Sequence, residues 1–385
     1  MKDNKQYKIL SIHWGFSLGG VAKYAELLEQ VGQYRNIKIN SICIHGENWG
    51  LDTKTMSSLD LESIIINSRL DLSWIKKLKA YIEQEKPDAI ITHGFNGHLV
   101  YWWASLFSTK KILWLASYHG EYHGNSAIRR VAGKIFNHLT IWLFKKRVNR
   151  VVSVASYSKK HLIQHGVNPN KVDVIHNGIP MMGVNHQAGK ALREEWNIKD
   201  DEIIFGVVSR LDPVKGIEYL IEAFEKISPK FPNVKFIVIG SGSITDSLKS
   251  MVERKGLTDV TQFVGYRSDV INCLAALDIF VLPSLAEYHS IALLEAMRSE
   301  KTIISTDVGG NTESVRDGEE AIVVPSADAT ALSEALARLL ADPALRDTLA
   351  KNARRRFVNE FTSDFMIKQT ANWLFESLEN NKASS

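Results

Sequence analysis

The chain of 385 residues is 45% hydrophobic and 23% charged, a globular composition with enough length for two domains. Its two cysteines, Cys43 and Cys273, are too few for a disulfide framework and fit a reducing compartment. The polar start MKDNKQYK shows no signal-peptide pattern, and no apolar segment reaches the ~20 residues of a membrane-spanning helix. We therefore expect a cytoplasmic protein that does not cross a membrane.

The net charge of +4 hides an asymmetry between the two halves of the chain. Residues 1–180 hold 24 Lys and Arg against 13 Asp and Glu, whereas the remainder holds 23 against 30. Opposed halves indicate two domains with different partners. The basic half contains no nucleic-acid-binding signature, so its charge favours an anionic membrane surface or an anionic acceptor over nucleic acid.

Short β-branched runs alternate with helical patterns from end to end. In the first half these runs cover residues 8–13, 40–45, 63–67, 89–94, 112–119, 151–155 and 172–177. In the second half they cover residues 203–209, 235–240, 261–265, 279–283, 302–307 and 321–324. Apolar runs separated by helices predict parallel strands buried on both faces. Two such sets predict an α/β protein with two doubly wound Rossmann-like domains facing across a cleft.

The segment NGIPMMGVNH combines Gly, Pro and Asn without periodicity and predicts the domain boundary. We expect an N-terminal domain over 1–180 and a C-terminal domain over 181–361. Residues 362–385 read as a capped helix with a polar tail. The apolar positions of this helix need a partner, and we expect them to pack back on the N-terminal domain.

The segment 128–150 predicts an amphipathic helix with basic ends. Its apolar positions on roughly one face are Ile128, Val131, Ile135, Leu139, Trp142 and Leu143, and its basic residues are Arg129, Arg130, Lys134, Lys145, Lys146, Arg147 and Arg150. Such a helix lies either in a membrane interface or against the core with a solvated basic end. The sequence leaves both interpretations open.

The first strand leads into a glycine-rich loop that contains Gly19 and Gly20. A glycine pair that opens a helix lets backbone N–H groups approach phosphate or sugar closely. The alternative is a tight turn, and the loop is not the G-x-G-x-x-G dinucleotide fingerprint.

A strand end at residue 209 leads into the segment SRLDPVKG and a helix. Its two cations, Arg210 and Lys215, lie five residues apart near the helix N-terminus, a position that suits phosphate. Fixed cations stabilise the charge that grows on a nucleoside diphosphate as its glycosidic bond breaks. The alternative is a pair of ordinary surface cations on a βα loop.

The stretch VLPSLAEYHSIALLEAM ends a strand and carries Glu287 and Glu295, eight positions apart. A predicted helix between them places Glu287 in the loop and Glu295 one or two turns into the helix. Carboxylates at this edge of an α/β sheet suit sugar and ribose hydroxyls. Glu287 precedes the polar residues Tyr288, His289 and Ser290, which suit a hexose. The alternatives are a solvated loop acid for Glu287 and a structural salt bridge for Glu295.

His119 and His123 lie four residues apart in YHGEYHG, but the glycines predict a loop and no third ligand has suitable spacing. We therefore expect no metal. His119, at a strand end, is a candidate for contacting a donor or acceptor sugar.

Together these residues resemble the retaining glycosyltransferases of family 4 (group 1) over nearly the whole chain. The resemblance rests on Gly19-Gly20, His119-Gly120, Asn177-Gly178-Ile179, SRLDPVKG, Ile239-Gly240-Ser-Gly242, Phe263-Val264-Gly265 and Glu287-x7-Glu295. It implies the GT-B fold, in which the C-terminal domain binds a UDP- or GDP-sugar and the N-terminal domain binds the acceptor.

The resemblance also implies roles for individual residues. Arg210 and Lys215 would hold the diphosphate, Glu295 the ribose, and Glu287 and His119 the transferred sugar. The donor-binding residues would be Gly19, Gly20, Gly265, Tyr288, His289, Ser290, Ile291 and Glu295. The chain departs from the family pattern after Glu287, where Tyr288-His289-Ser290 replaces the usual Gly and aromatic residue.

The implied reaction is hexosyl transfer with retention of configuration. Arg210 and Lys215 would stabilise the negative charge on the diphosphate, and no metal cofactor is required. We expect a role in bacterial surface polysaccharide, lipopolysaccharide or glycolipid synthesis, on the inner face of the membrane, with a saccharide or lipid-linked acceptor. Two alternatives remain: a sugar-nucleotide epimerase on the same fold, and a non-catalytic GT-B subunit.

Overall fold

The chain forms two compact units in the computed structural model. The structure describes residues 5–15, 24, 27–46, 61–68, 71–108, 110–121 and 127–383, with the side chains of 127–130 excepted. Unit 1 consists of Met1–Asn177 and Ser363–Ser385, and unit 2 of Gly178–Thr362. The chain therefore enters unit 2 after Asn177 and returns to unit 1 at Ser363.

Unit 1 is built on a parallel sheet whose described strands are ordered β3-β2-β1-β4-β5-β6-β7. These strands are β1 (Tyr7–Trp14), β2 (Ile37–Gly46), β3 (Leu61–Ile66), β4 (Ala89–His93), β5 (Leu113–Tyr118), β6 (Arg150–Ser153) and β7 (Val172–Val174). The helices described in full before residue 178 include α1 (Ser73–Glu85), α2 (Gly94–Ser105), α3 (Ala127–Lys146) and α4 (Ser156–Gln164), with short 3-10 helices at Glu29–Gln33 and Pro169–Lys171. The order reverses between β1 and β4, which makes their carboxyl ends the topological switch point of this sheet.

Unit 2 is built on a second parallel sheet, with the described strands ordered β10-β9-β8-β11-β12-β13. These strands are β8 (Ile203–Val208), β9 (Val234–Ile239), β10 (Thr261–Gly265), β11 (Ile279–Leu282), β12 (Thr302–Thr306) and β13 (Ile322–Val324). Its helices are α5 (His186–Glu195), α6 (Ile217–Ile227), α7 (Thr245–Arg254), α8 (Val270–Ala276), α9 (Ile291–Arg298), α10 (Asn311–Ser314), α11 (Ala329–Ala341) and α12 (Pro343–Glu360), with 3-10 helices at Pro213–Lys215 and Thr258–Val260. The switch point of this sheet lies between β8 and β11.

Helices cover both faces of the second sheet, which explains why its strands read as continuous apolar runs. Phe205 of β8 stacks on Phe236 of β9 with ring centroids 4.7 Å apart, and Phe224 of α6 meets Phe205 edge-on. All three rings are fully buried. The prediction of two parallel-sheet α/β domains is confirmed.

Helix α13 (Ser363–Ala383) packs on unit 1 and joins its hydrophobic core. Met366 and Leu374 are buried among strand residues such as Ile9. Each such side chain removed from water contributes about 1.5–3 kcal/mol before the entropy of ordering is subtracted. The indole nitrogen of Trp373 donates a hydrogen bond of 2.8 Å to Asp173.

Helix α3 packs only part of its apolar surface against the core. Leu143 is fully buried, whereas Val131 and Ile135 are each 61% exposed and Trp142 is also exposed. The physical reason is that the apolar arc of this helix is wider than the core that covers it. The exposed side therefore carries apolar residues in addition to its lysines.

Over the residues that the structure describes, no helix combines the length and the apolar character that crossing a bilayer demands.

Candidate active site

The best-defined polar cluster of unit 2 lies at its switch point, where the loops after β8 and β11 touch. The backbone N–H of Leu285 donates a hydrogen bond of 2.8 Å to the carbonyl of Val214. Gly216 has a φ of +61°, and a Cβ there would lie 2.2 Å from the carbonyl oxygen of Pro283. The two loops can approach this closely because residue 216 is a glycine.

An ion pair joins the two loops at this point. Nζ of Lys215 lies 2.6 Å from Oε1 of Glu287, and the side chains are 19% and 12% exposed. The hydroxyl of Ser284, which is fully buried, donates a second hydrogen bond of 2.8 Å to the same oxygen. Thr306 holds this loop by donating a hydrogen bond of 2.6 Å to the Ser284 carbonyl. The site therefore presents a cation and a carboxylate side by side, both fixed by the fold.

The loop after β12 supports Glu287 from the other side. Gly309 has a φ of +55°, and a Cβ there would lie only 1.6 Å from the carbonyl oxygen of Glu287. Any other residue at position 309 would displace the backbone that carries the carboxylate.

Arg210 lies in the same loop as Lys215 but is largely exposed. Its side chain is 78% exposed, and its guanidinium lies 3.3 Å from Oδ2 of Asp212. Oδ1 of Asp212 accepts a hydrogen bond of 2.9 Å from Ser243. The structure thus brings Lys215 and Glu287 together, while it leaves Arg210 as an accessible cation at the carboxyl end of β8.

Glu295 lies in the second turn of α9 and is partly buried. Ser290 caps this helix, because its hydroxyl accepts a hydrogen bond of 3.3 Å from the N–H of Leu293. Burial lowers the pKa of Arg298, and the nearby Glu295 carboxylate opposes that shift. Both interpretations of Glu295, as a ribose ligand or as a structural charge partner, are therefore compatible with its position.

The remaining predicted donor-binding residues occupy different environments. His289 is buried, with Nε2 3.3 Å from the Ser314 hydroxyl, whereas Tyr288 and Ile291 are partly exposed. Gly265 ends β10 with a φ of +76°, and its carbonyl accepts a hydrogen bond of 2.7 Å from the Gly240 N–H. Residues Gly19 and Gly20 lie outside the part of the chain that the structure describes.

His119 belongs to unit 1 and follows β5. Its Nε2 lies 2.9 Å from the hydroxyl of Ser117, and its ring meets the Tyr24 ring at a centroid distance of 5.0 Å. Burial lowers the pKa of His119 to about 4, so the ring is neutral at pH 7.

No three His, Cys, Asp or Glu side chains lie close enough to hold a metal ion within the described ranges.

Sequence reasoning missed the two residues that support Glu287. Ser284 binds its carboxylate and Gly309 leaves room for its backbone. A usable signal exists for Gly309, since a Gly-Gly pair follows the apolar run at 302–307. Ser284 has no signal beyond its position at a strand end.

Comparison with known proteins identifies the class to which this fold and site belong. Residues 189–356 match the family model "Glycosyl transferases group 1", and residues 63–181 match "Glycosyltransferase Family 4". The structure superposes on Anabaena HepE in complex with UDP and glucose with a TM-score of 0.82 and 20% identity, covering 96% of this chain and 99% of that one. The fold is therefore that of the GT-B glycosyltransferases.

Sequence relatives include enzymes of bacterial polysaccharide synthesis. The capsular polysaccharide biosynthesis glycosyltransferase CapM of Staphylococcus aureus is 25% identical over 92% of this chain and 94% of its own length. The UDP-Gal:alpha-D-GlcNAc-diphosphoundecaprenol alpha-1,3-galactosyltransferase of Escherichia coli is 28% identical over 76% of this chain and 77% of its own. The match to alpha-D-kanosaminyltransferase of Streptomyces kanamyceticus has 33% identity but spans only 42% of each chain. The chain belongs to the group 1 glycosyltransferases, family 4.

Proposed function

We propose that this protein transfers a hexose-type sugar from a UDP- or GDP-linked donor to a saccharide or lipid-linked acceptor, with retention of configuration. The observation that carries the proposal is the fixed pair of Lys215 and Glu287 at the switch point of unit 2. A cation there suits the donor diphosphate, and a carboxylate beside it suits sugar hydroxyls.

Charge stabilisation is the main catalytic task in this reaction. Negative charge grows on the diphosphate oxygen as its bond to C1 of the sugar breaks. Lys215 is held on one side by Glu287, and Arg210 is exposed in the same loop, so both can turn toward this oxygen. Cations aimed at this oxygen stabilise the transition state more than the ground state, and we propose that no metal ion is required.

Retention follows from substitution on one face of the sugar. The acceptor oxygen bonds to C1 on the side that the diphosphate leaves, and the acceptor hydroxyl proton passes to the departing diphosphate oxygen. Glu287 is not the nucleophile in this scheme, because the ion pair with Lys215 and the hydrogen bond from Ser284 lower the nucleophilicity of its carboxylate. Its role is to bind sugar hydroxyls.

The change after Glu287 bears on donor preference. Tyr288-His289-Ser290 occupies the place where the family usually has a glycine and an aromatic residue. Since His289 is buried and Ser290 caps α9, Tyr288 is the side chain of the three best placed to meet the donor sugar.

The acceptor side of the proposal rests on the relatives and on the surface of unit 1. One relative acts on a diphosphoundecaprenol-linked sugar and another serves capsule synthesis. An apolar surface on α2 and α3, with a basic rim, suits a membrane that presents such an acceptor. Its exposed apolar residues are Trp103, Leu106, Phe107, Val131, Ile135 and Trp142, and its exposed lysines are Lys110, Lys111, Lys134, Lys145 and Lys146.

The Trp102 ring connects α2 to α3 within this set. Its centroid lies 5.8 Å from that of Trp103 and 5.6 Å from that of Trp142. Apolar side chains with adjacent lysines are typical of a segment that lies in an anionic membrane interface. We propose that this surface docks on the inner face of the cell membrane.

Incubation with a panel of UDP- and GDP-sugars, with and without a polyprenyl-diphosphate-linked acceptor, tests the proposal. We expect a product whose new linkage has the anomeric configuration of the donor, identified by NMR, and which forms only with acceptor and persists in excess EDTA. A donor epimer without acceptor would instead indicate an epimerase, and no turnover in any mixture would indicate a non-catalytic subunit.

A further inference from the structure

A row of serine and histidine side chains crosses three neighbouring strands of unit 1. Ser11 and His13 lie on β1, His93 ends β4, and Ser117 lies on β5, two residues before His119. Alternate residues of a strand share a face, and the register pairs His93 with Ser117. The five side chains therefore lie together at the switch point of this sheet, where ligands bind in open α/β folds.

Four hydrogen bonds link these five side chains in a continuous row. Oγ of Ser11 lies 2.7 Å from Nε2 of His13 and 3.0 Å from Nε2 of His93. Oγ of Ser117 lies 2.6 Å from Nδ1 of His93 and 2.9 Å from Nε2 of His119. The first four residues are buried, so water does not compete for these bonds. We refer to the five residues as the Ser–His chain.

The three imidazole rings are neutral at pH 7. Burial lowers the pKa of His13 to about 3 and that of His119 to about 4, and it holds the pKa of His93 well below its ordinary value. A neutral imidazole has one N–H and one acceptor nitrogen, and each serine donates one hydrogen. When each serine donates its hydrogen within the Ser–His chain, all the hydrogens point in the same sense and two arrangements result.

The distances distinguish these two arrangements. Hydrogen bonds donated by a hydroxyl are usually shorter than those donated by an N–H, which centre on about 2.9–3.0 Å. The contact of 2.6 Å between Ser117 Oγ and His93 Nδ1 lies below the range of N–H donors and assigns the Ser117 hydroxyl as the donor. His93 then carries its hydrogen on Nε2 and donates it to Ser11 over 3.0 Å, and His119 Nε2–H donates to Ser117 over 2.9 Å. All four distances agree with one sense.

We propose that the Ser–His chain sets His119 in the Nε2–H tautomer, so that its Nδ1 accepts a hydrogen bond from a substrate sugar hydroxyl. The identity of the ligand rests on the proposed function, whereas the tautomer follows from the hydrogen bonds between neutral rings. Ser11, His13, His93 and Ser117 act through His119 and are positioning residues. A ring held in this way selects a hydroxyl over a group that only accepts hydrogen bonds, such as fluorine or an ether oxygen.

Ring ¹⁵N NMR of the full chain, free of substrate, tests the tautomer. In the wild type we expect His119 with a protonated Nε2 and an unprotonated Nδ1. Ser11→Ala removes the acceptor of His93 Nε2–H, so His93 and then His119 should show a mixture of tautomers although Ser11 does not touch His119. The matched control is Ser41→Ala. Ser41 lies on the adjacent strand β2, in register with Ser11, and its buried hydroxyl has no hydrogen-bond partner among the described residues.

Unchanged His119 signals in folded Ser11→Ala, or an Nδ1–H ring in the wild type, would overturn the proposal. If Ser11→Ala does not fold, Ser117→Ala is the second variant, and it should release His119 directly. In turnover assays Ser11→Ala should lower kcat/KM by about 2–10-fold, the worth of one neutral hydrogen bond. At the position of the hydroxyl that binds His119, a deoxyfluoro sugar should lower kcat/KM as much as the deoxy analogue does. A wild type with the expected tautomer but no turnover would refute the proposed function and not the tautomer assignment.

Discussion

The ammonium group of Lys215 lies 2.6 Å from Oε1 of Glu287, although 72 positions separate the two residues in the chain. We expect Lys215→Met, which keeps the length of the side chain and removes its charge, to lower kcat by about 10²-fold or more, the cost of losing one preorganised group at a developing anion. Steady-state kinetics at saturating donor measures this effect. Turnover close to that of the wild type would refute the diphosphate role of Lys215.

Arg210→Met should also lower kcat by roughly 10²-fold if its cation faces the same oxygen. Because Arg210 is largely exposed and Lys215 is not, the two variants should differ in stability. Thermal unfolding should show a lower Tm for Lys215→Met, which leaves the Glu287 carboxylate without its cation, and little change for Arg210→Met. Equal losses of Tm would contradict the structural difference between the two sites.

Glu295 is expected to bind ribose hydroxyls. Glu295→Ala should weaken the binding of free UDP or GDP by ~1.5–3 kcal/mol, the range for hydrogen bonds to a charged group. Isothermal calorimetry measures this change. Unchanged affinity for both nucleotides, together with reduced stability, would assign Glu295 as the charge partner of Arg298 instead.

Gly309 should tolerate no side chain, because a methyl group there would meet the backbone of Glu287. Gly309→Ala is expected to abolish most turnover and to lower Tm. Gly318→Ala is a matched control, since Gly318 also has a positive φ but has nothing within 4 Å of the added carbon. Both variants carry backbone strain of about 1 kcal/mol, so the difference between them isolates the clash. Equal Tm values would mean that the loop around Glu287 moves to accommodate the methyl group without a loss of stability.

The buried histidines of unit 1 should make it sensitive to mild acid. Burial lowers the pKa of His13 and His98 to about 3 and that of His119 to about 4, and it holds the pKa of His93 well below its ordinary value. The unfolded chain takes up protons near pH 6.5 and the folded chain does not. Stability is therefore lost as the pH falls from about 6.5 toward 4, by up to about 1.4 kcal/mol per pH unit for each histidine.

Urea unfolding at pH 7.5, 6 and 5, above the range in which most carboxylates titrate, measures this loss. The first unfolding transition should move to lower urea at each step. A midpoint that stays constant from pH 7.5 to 5 would show that these rings are not buried in neutral form.

Membrane docking should depend on the exposed side of α3. Replacing Val131 and Ile135 with Ser, or Lys134 with Gln, should reduce sedimentation with anionic vesicles at low salt, because each engaged Lys contributes ~1 kcal/mol and each buried methylene ~0.8 kcal/mol. Lys190→Gln, on the exposed surface of α5 in unit 2, is the control. If the wild-type protein does not sediment with anionic vesicles at low salt, membrane docking is excluded and a soluble acceptor is the better interpretation.

The local sequence pattern was sufficient to predict both sheets and to place Glu287 and Glu295 on their elements. Strand β8 is a continuous apolar run, and Gly216 marks the start of α6, so the loop that carries Lys215 follows from neighbours in sequence. The same holds for Glu287 in its loop and Glu295 in α9. What the pattern cannot predict is that Lys215 and Glu287 contact each other, because their distance depends on the order of strands in the folded sheet.

Two further features show the same limit. The apolar positions of α3 have helical spacing, but only packing decides that Leu143 is buried while Val131 faces outward. The Ser–His chain has a partial signal in the sequence, since Ser-x-His occurs at residues 11–13 and 117–119, both at strand ends. His93 becomes its middle member only because β4 lies between β1 and β5.

The path of the chain through its two units has a consequence for synthesis. The core of unit 1 includes side chains of α13, which are translated after all of Gly178–Thr362. At 5–20 residues per second, this intervening stretch takes roughly 10–40 s to emerge from the ribosome. The first half of the nascent chain therefore waits with part of its apolar surface uncovered, and unit 2 can complete its fold before unit 1 does.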